Sequence, residues 1–323
     1  ISAGVGQRSR RYTGAPSGTY ALQGYSSFVQ AQKNRVPMVY VGGNDGMLHG
    51  FSATDGSEKL AYVPNGALST IKNLAGSGYT HQYYVDGSPM TGDVELGGVK
   101  ETTPGTEAYI ADWRTLLVGT MGAGGKGYFV LDVTNPAAGS TSSAPSFAAA
   151  NANTLVRLDR TRGVADALDC TALTGTQRTA CIATASENND IGHITAKPVM
   201  DETDFLRTTQ ITRMNNGRWA VVMGNGYNST NQRPVLLIQY LDKGQELVRL
   251  PVTSQAAGTG YAIDNGLSAP RLIDLNGDGR VDIAYAGDNQ GNLWKFDLTS
   301  DVASEWNVAF SSTPLFTARG PSA

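Results

Sequence analysis

The sequence predicts an all-β fold, a modified β-propeller of about seven blades, on three observations. The chain has 39 glycines among 323 residues, above the typical ~7%, and only 16% charged residues, a composition typical of strands joined by tight turns. A hairpin pattern recurs along the chain, and three of the hairpins follow a strand that begins after a proline. At ~40–50 residues per blade, the length allows about seven blades.

The hairpin pattern is clearest in residues 38–53 (MVYVGGNDGMLHGFSA) and 283–298 (IAYAGDNQGNLWKFDL), which align without a gap. Each stretch has a β-type run, a Gly/Asn turn and a second β-type run, which predicts a β-hairpin. Residues 116–133 and 220–242 are looser copies with longer turns. The aligned pairs include Tyr40 and Tyr285, Gly42 and Gly287, Asn44 and Asn289, Gly46 and Gly291, Leu48 and Leu293, and Phe51 and Phe296.

A proline followed by a β-type run precedes three of these hairpins, at Pro89, Pro198 and Pro270. Proline suits the first position of a strand, where no ladder hydrogen bond is lost. Each unit is therefore predicted to contain a Pro-led strand, a connection and a Gly-turn hairpin, as the strands of a propeller blade are arranged.

The propeller domain is predicted over residues 36–323, after a polar leader, residues 1–35, that packs on its surface. Residues 137–189, rich in Ala, Ser and Thr, are predicted to be a less regular insertion. The chain starts at Ile1 without a signal peptide and ends in a run like another Pro-led strand, which predicts a processed or truncated piece.

Charge and hydropathy argue against two kinds of partner. The net charge of −3 does not favour nucleic acid or an anionic membrane, and no apolar run approaches the ~20 residues that cross a bilayer. Cys170 and Cys181 have neither C-x-x-C nor metal-finger spacing, so they predict one small disulfide loop in a secreted protein. Two unpaired thiols in an intracellular protein are the alternative.

Residues 274–282 (DLNGDGRVD) place three carboxylates within nine residues, although like charges ~4 Å apart repel by roughly 4 kcal/mol near a protein surface. Calcium loops have oxygen ligands at positions 1, 3, 5, 7 and 9, with a backbone carbonyl at position 7 and glycine at position 6. Gly279 occupies position 6 here. The predicted calcium ligands are Asp274, Asn276, Asp278, the backbone carbonyl of Arg280, and Asp282.

This ligand set favours Ca²⁺ over other metals. It contains only oxygens, whereas zinc and copper prefer nitrogen or sulfur, and Mg²⁺ prefers a rigid octahedral site and keeps its waters. Position 12 is Tyr285 and not the bidentate Glu of a helix–loop–helix site, and both flanks are β-type. We therefore expect a calcium loop that closes two strands and binds more weakly than cytosolic buffers do. An ordinary Asn/Asp/Gly turn without metal is the alternative.

Several stretches resemble the PilC/PilY family of type IV pilus proteins, from about residue 36 to residue 300. The resemblance implies the C-terminal propeller-like domain of a large secreted protein. Such proteins act in pilus biogenesis and as adhesins at the pilus tip or outer surface of a Gram-negative bacterium. The stretches are residues 36–56, 61–66, 113–136, 219–229 and 265–298.

In this family a calcium loop modulates pilus extension and retraction, and hence twitching motility. Its ligands map without gaps onto residues 274–282. The resemblance therefore implies Ca²⁺ as the cofactor, minor pilins and the host-cell surface as partners, and a role without enzymatic activity. The chain lacks the Arg-Gly-Asp integrin motif that some relatives carry.

One rival function is a quinoprotein-type dehydrogenase, because those enzymes are also propellers and the expected fold is quinoprotein-like. Residues 51–64 (FSATDGSEKLAYVP) loosely resemble the blade motif of that class. The enzymes, however, use adjacent cysteines over the quinone, whereas Cys170 and Cys181 are eleven positions apart.

A second rival is a carbohydrate-binding propeller that uses aromatic side chains. The tryptophans that could serve it are Trp113, Trp219 and Trp294, although blade cores also hold such residues. The histidines are scattered and are predicted to be structural: His49, His81 and His193. The acidic run at residues 201–204 lacks the alternation of a calcium loop and is predicted to be a solvated turn.

Overall fold

The computed structural model describes residues 24–97, 99–100, 109–136, 144–163, 168–202, 204–242, 244–252 and 265–318. Of the residues, 37% are in strands and 19% are in helices, so the predicted β class is confirmed. The predicted leader, residues 1–35, lies outside the described residues as far as residue 23.

The strands are short, mostly two to eight residues. In chain order they are β1 (Met38–Gly42), β2 (Leu48–Ser52), β3 (Glu58–Tyr62), β4 (Met90–Glu95), β5 (Val99–Lys100), β6 (Tyr109–Ile110), β7 (Trp113–Thr120), β8 (Tyr128–Asp132), β9 (Val156–Asp159), β10 (Met200–Asp201), β11 (Asp204–Thr208), β12 (Ile211–Met214), β13 (Trp219–Gly224), β14 (Val235–Tyr240), β15 (Leu247–Pro251), β16 (Arg271–Ile273), β17 (Arg280–Val281), β18 (Ile283–Gly287), β19 (Asn292–Asp297), β20 (Asn307–Val308) and β21 (Phe316–Thr317).

The helices are peripheral to these strands, and among the described residues none is long and apolar enough to cross a lipid bilayer. They are α1 (Tyr25–Gln32), α2 (Asn65–Leu68), α3 (Ala152–Leu155), α4 (Gly175–Asn188) and the single turn α5 (Ala309–Ser312). Four 3₁₀ turns add Ile71–Ala75, Gly122–Gly124, Ala149–Asn151 and Ala303–Glu305.

Four sheets of three to five strands form the body of the described structure, and each predicted hairpin lies within one of them. The first sheet has the order β1-β2-β3, the second β4-β7-β8-β9, and the third β15-β14-β13-β12-β17. The fourth has the order β16-β18-β19-β20, with β21 also paired to β19. Two further pairs, β5-β6 and β10-β11, are not hydrogen-bonded to these sheets.

The Pro-led strands were predicted correctly in two units and wrongly in one. The strand after Pro89 pairs with its hairpin as β4 beside β7, and the strand after Pro270 does so as β16 beside β18. The strand after Pro198 pairs instead with β11, and β12 takes the place beside the third hairpin. A partly buried ion pair between Asp201 and Arg207, 3.3 Å apart, joins β10 to β11.

The predicted insertion, residues 137–189, contains more regular structure than its composition indicates. Residues 137–143 and 164–167 lie outside the described residues. Strand β9 pairs with β8 and completes the second sheet as a four-stranded blade. Helix α4 follows and is exposed along most of its length.

The four sheets stack in chain order, with an apolar core between each neighbouring pair. Strand β13 shows why the sequence there is apolar at every position. Ala220 and Val222 pack in the core shared with the fourth sheet, whereas Val221 and Met223 pack in the core shared with the second. A strand buried on both faces has no solvent side, so polar alternation disappears.

Helix α1 packs on the edge of the second sheet. The ring of Tyr25 lies 4.5 Å from that of Trp113, and its hydroxyl donates to Asp93 Oδ2 at 2.9 Å. Both Tyr25 and Asp93 are buried. The helix therefore contributes to the core between the second and third sheets and is not a loose surface segment.

Candidate functional site

The acidic loop, residues 274–282, connects β16 to β18 at the end of the fourth sheet. It is not helical, as the β-type flanks predict. The N–H of Asp282 donates to Ile273 O at 2.9 Å, and the N–H of Leu298 donates to Asp282 O at 2.8 Å. The ends of the loop are thus fixed by the strands that the loop joins.

The first carboxylate organises the loop's two glycines. Asp274 Oδ1 accepts the N–H of Gly277 at 2.7 Å, and Oδ2 accepts the N–H of Gly279 at 2.8 Å. Gly277 and Gly279 have φ values of 79° and 83°, in the left-handed region that residues with a Cβ rarely adopt. The sharp turn therefore needs glycine at both positions.

The remaining polar side chains also bond the loop backbone. Asn276 Oδ1 accepts the N–H of Asp278, and Asp278 Oδ1 accepts the N–H of Arg280, at 2.8 and 2.9 Å. Asp282 Oδ2 reaches back to the N–H of Leu275 at 2.8 Å. The side chains at positions 1 and 9 therefore both hold the loop's own amides, which curls the loop.

The residues present suit a calcium ion in type and number. A carboxylate has about four lone-pair sites, so accepting one N–H per oxygen leaves capacity for a cation. Within the described residues no three Asp, Glu, His or Cys side chains form a group that could hold a metal by themselves. The carboxylates of Asp274, Asp278 and Asp282 therefore do not form such a group in this structure, and a calcium site here would also need the Asn276 side chain and the Arg280 carbonyl.

The loop also contacts the third sheet, which sequence reasoning did not foresee. Strand β17, inside the loop, pairs in parallel with β12, with Arg213 opposite Arg280 and Met214 opposite Val281. Asn215, which follows β12, donates from Nδ2 to Asp282 Oδ1 at 2.9 Å. Its position in an Asn-Asn-Gly turn is an ordinary turn signal and gives no hint of a contact 67 residues away.

A small cavity of about 60 Å³ opens beside the loop, between it and β12. Asp274 and Arg280 line it from the loop, Ile211 and Thr212 line it from β12, and Arg207 lines it from β11. This volume is enough for water molecules at the loop surface, since one water needs ~10–15 Å³ of such space.

Comparison with known proteins decides the family. A profile described as "PilY1 beta-propeller domain" matches residues 2–153 and 162–314, nearly the whole chain. The chain belongs to the PilY1 family. The match confirms both the resemblance and the propeller class of the fold.

Curated PilY1 proteins are similar along nearly the whole of this chain. The type IV pilus biogenesis factor PilY1 of Pseudomonas aeruginosa strain PAO1 is 38% identical over 322 residues, 94% of the chain and 21% of that protein. A PilY1 homolog of Xylella fastidiosa is 36% identical over 312 residues, 92% of the chain and 17% of that protein. The chain thus spans about a fifth of the length of these relatives.

A solved structure of the family is also similar. The crystal structure of the Pseudomonas aeruginosa PilY1 C-terminal domain matches with a TM-score of 0.58 and 34% identity, over 94% of this chain and 52% of that one. The similarity covers nearly the whole of this PilY1 family member and about half of the solved chain.

The two cysteines lie beside helix α4 of this PilY1 family member. The Sγ atoms of Cys170 and Cys181 are bonded, with the Cα atoms 5.8 Å apart and the two residues eleven positions apart in sequence. The bond ties the segment before α4 to the middle of the helix. The cysteines are therefore not an adjacent pair of the kind that quinoprotein dehydrogenases place over the quinone.

The tryptophans considered for carbohydrate binding lie in the cores between sheets. Trp113 and Trp219 are 6% and 2% exposed and pack edge to face with ring centroids 5.7 Å apart. Trp294 is 7% exposed, and its Nε1 donates to Asp288 Oδ2 at 2.9 Å. Because these rings are buried, they do not offer a stacking surface to a sugar.

Each histidine has its own local contacts. His49 lies between Asp45 and Glu58, with Nε2 2.9 Å from Asp45 Oδ2 and Nδ1 2.5 Å from Glu58 Oε1. The contact with Glu58 is the largest cause of a raised pKa of His49; burial opposes it, and the contact with Asp45 adds a smaller increase. His193 Nδ1 lies 3.0 Å from Gly122 O and its ring stacks on Tyr227.

In the acidic run at residues 201–204, Glu202 lies in an exposed turn between β10 and β11, as predicted, but the run is only partly solvated. Asp201 is only 9% exposed and pairs with Arg207, as described above. Glu202 is exposed and forms an ion pair with Arg271 of β16. The run therefore links the β10-β11 ribbon to the fourth sheet.

Proposed function

We propose that this chain is a non-enzymatic, calcium-binding part of a type IV pilus biogenesis and tip adhesin protein. In this proposal, calcium occupancy of the loop at residues 274–282 regulates pilus extension and retraction, twitching motility and surface attachment. The observation that carries it is the loop itself, which is curled by its own carboxylates and lies against both the third and the fourth sheet.

Five oxygens of the loop would hold the ion. They come from the side chains of Asp274, Asn276, Asp278 and Asp282 and from the backbone carbonyl of Arg280. Calcium takes six to eight oxygen ligands, and the adjoining cavity of about 60 Å³ leaves room for waters to complete the set. When bound, the ion supplies a charge of +2 against three carboxylates.

In this proposal, binding of the ion changes the conformation of the loop through the loop's own residues. Without a cation, the three carboxylates repel one another and their hydrogen bonds to the loop amides oppose this repulsion. With the charge compensated, the loop keeps β16 and β18 in place against the third sheet. We propose that minor pilins contact this surface and that the protein acts at the pilus tip or the outer cell surface, where it also meets host cells.

A calcium titration monitored by calorimetry tests the metal site. The chain is expected to bind one Ca²⁺, and Asp278→Asn, which preserves shape and removes one charge, should bind at least ~10-fold more weakly. Asp55→Asn is the matched control, because Asp55 Oδ1 also accepts a backbone N–H in a turn, from Ser57 at 3.1 Å, but lies in the first sheet. No binding by the unmodified chain, or equal losses in both variants, would contradict the site.

The regulatory part needs the full-length protein in its bacterium. Asp282→Ala removes the ligand at position 9 and should abolish calcium binding, with changed pilus number and twitching motility as the expected result. A variant that loses calcium yet leaves pili and motility unaltered would contradict regulation while leaving the metal site intact.

The proposal that the chain is not an enzyme has its own test. Supplying pyrroloquinoline-type quinone, calcium and an artificial electron acceptor should give no turnover with alcohols or aldehydes. Sustained dye reduction that depends on the quinone would contradict it.

A further inference from the structure

Asn215 lies where the third sheet meets the acidic loop, and its side chain is 8% exposed. Its Nδ2 atom lies within hydrogen-bond distance of three acceptors: Val281 O at 2.9 Å, Asp282 Oδ1 at 2.9 Å and Leu298 O at 2.8 Å. An amide nitrogen has two hydrogens, so one of them is shared. Since all three partners are acceptors, the amide must present its nitrogen and not its oxygen to them.

The contact is reciprocal. Nη1 of Arg280 donates to the backbone carbonyl of Asn215 at 2.9 Å. The parallel pairing of β12 with β17 places Met214, the residue before Asn215, opposite Val281. A side chain of the third sheet therefore donates to the loop, a side chain of the loop donates to the third sheet, and the two backbones also pair.

The effect on Asp282 is specific. One of its carboxylate oxygens accepts from Asn215 of the third sheet, and the other accepts the N–H of Leu275 within the loop. With both oxygens held, the carboxylate cannot rotate freely, and the side chain is nearly buried at 4% exposed. A ligand fixed in this way loses little freedom when a cation binds.

We propose that Asn215 is a positioning residue for the calcium loop: it orients Asp282 and couples occupancy of the loop to the third sheet. This inference rests on the proposed calcium site. It adds a residue from another sheet, outside the ligand set, on which affinity depends. Outer-shell partners of this kind typically change metal affinity by about 10–100-fold.

Two substitutions of Asn215 and one control test the inference by calorimetry. Asn215→Ala removes the donor and should weaken calcium binding about 10–100-fold. Asn215→Asp keeps the shape but replaces the donor with a second carboxylate facing Asp282, and it should weaken binding as well. Asn216→Ala is the control, because the neighbouring Asn216 donates its hydrogen bond within the third sheet, to Tyr240 Oη at 2.6 Å; the affinity of this variant should stay within about twofold.

A merely structural role for Asn215 would lower the melting temperature equally with and without calcium. A positioning role instead reduces the rise in melting temperature that calcium produces. Hydrogen exchange gives a second measure, because calcium should slow exchange in residues 211–216 of the unmodified chain and of Asn216→Ala but not of Asn215→Ala.

The outcomes separate this inference from the proposed function. If the unmodified chain binds no calcium, the proposed site itself is wrong. If it binds calcium and Asn215→Ala binds as tightly as Asn216→Ala, only the role of Asn215 is overturned. Binding by Asn215→Asp as tight as that of the unmodified chain would overturn the donated hydrogen bond as the cause.

Discussion

The hairpins of the first and fourth sheets have the same sequence pattern and the same register, yet they bury opposite faces. Val39 pairs with Phe51 in the first hairpin, and the aligned Ala284 pairs with Phe296 in the fourth. In the fourth hairpin these two positions are fully buried, whereas Val39 is 37% exposed. Identical local structure has produced different packing.

The neighbouring sheets explain the difference. The first hairpin turns Met38, Tyr40 and Leu48 into the core shared with the second sheet. The fourth hairpin turns the alternate positions, including Ala286 and Trp294, into the core shared with the third sheet. The first and the fourth sheet lie at the two ends of the stack. Each of them buries the one face that has a neighbouring sheet among the described residues.

The comparison teaches that register and burial have separate causes. The Gly/Asn turn and the strand lengths determine which residues pair, because a two-residue period fixes the face of every side chain once the turn is set. Which face becomes the core depends on the sheet that packs against it. In the fourth hairpin Lys295 and Asp297 mark the polar face, opposite Tyr285 and Ile283. The first hairpin is largely apolar on both faces, so its sequence pattern alone does not tell which face is buried.

The largest expected effect comes from truncating the aligned phenylalanines. Phe296 is 0% exposed in the core between the third and fourth sheets, so Phe296→Ala should cost about 3–5 kcal/mol of unfolding free energy. Phe51 is half-buried on the uncovered face, and Phe51→Ala should cost less than about 1.5 kcal/mol. Urea unfolding measures both, and equal losses would contradict the assignment of opposite buried faces.

The aligned turn glycines should behave alike, because the turn is what the hairpins share. Gly46 has φ 92° and Gly291 has φ 80°, so alanine at either position is strained by roughly 1–2 kcal/mol. A Cβ would lie 2.8 Å from the flexible end of Ile71 in one turn and 3.2 Å from Ala318 in the other. If the losses of unfolding free energy in Gly46→Ala and Gly291→Ala differ by more than about 1 kcal/mol, the two turns are not equivalent.

The sequence was informative wherever a feature depends on neighbours in the chain. The four hairpins, the strands after Pro89 and Pro270, and the non-helical acidic loop each have a local signal of turn glycines, prolines or alternating acids. Strand β9 was missed because it lies in an Ala/Ser/Thr-rich segment and pairs only after the chain returns to β8. The strand after Pro198 was misplaced because it pairs with the next strand in the chain, β11, and β12 takes the place beside the hairpin.

The acidic loop shows the same limit at the level of single residues. The spacing from Asp274 to Asp282 was enough to predict an oxygen-rich loop between two strands. Nothing local indicated that Asn215, in a different sheet, holds Asp282, or that the Arg280 side chain holds Asn215 in return. Such contacts arise from how two sheets pack, and a single sequence has no periodic signal for them.

The smallest expected effect is a pH dependence confined to the first hairpin. His49 of β2 aligns with Trp294 of β19, which does not titrate. Both ring nitrogens of His49 face carboxylates, Glu58 and Asp45, and only the protonated imidazole can donate to both. The pKa of His49 is raised in the folded state, chiefly by Glu58. The stabilisation is therefore complete below the unfolded pKa of about 6.5 and is lost as the pH rises through the higher folded value.

The difference in unfolding free energy between the unmodified chain and His49→Gln isolates this contribution from the other titrating groups. It should be largest near pH 6 and should disappear by about pH 9, with a magnitude of at most about 1 kcal/mol because the carboxylates are half-exposed. A difference that stays constant from pH 6 to pH 9 would mean that His49 contributes only packing. The pH dependence would then offer no distinction between the first hairpin and the fourth, where the tryptophan at the aligned position does not titrate.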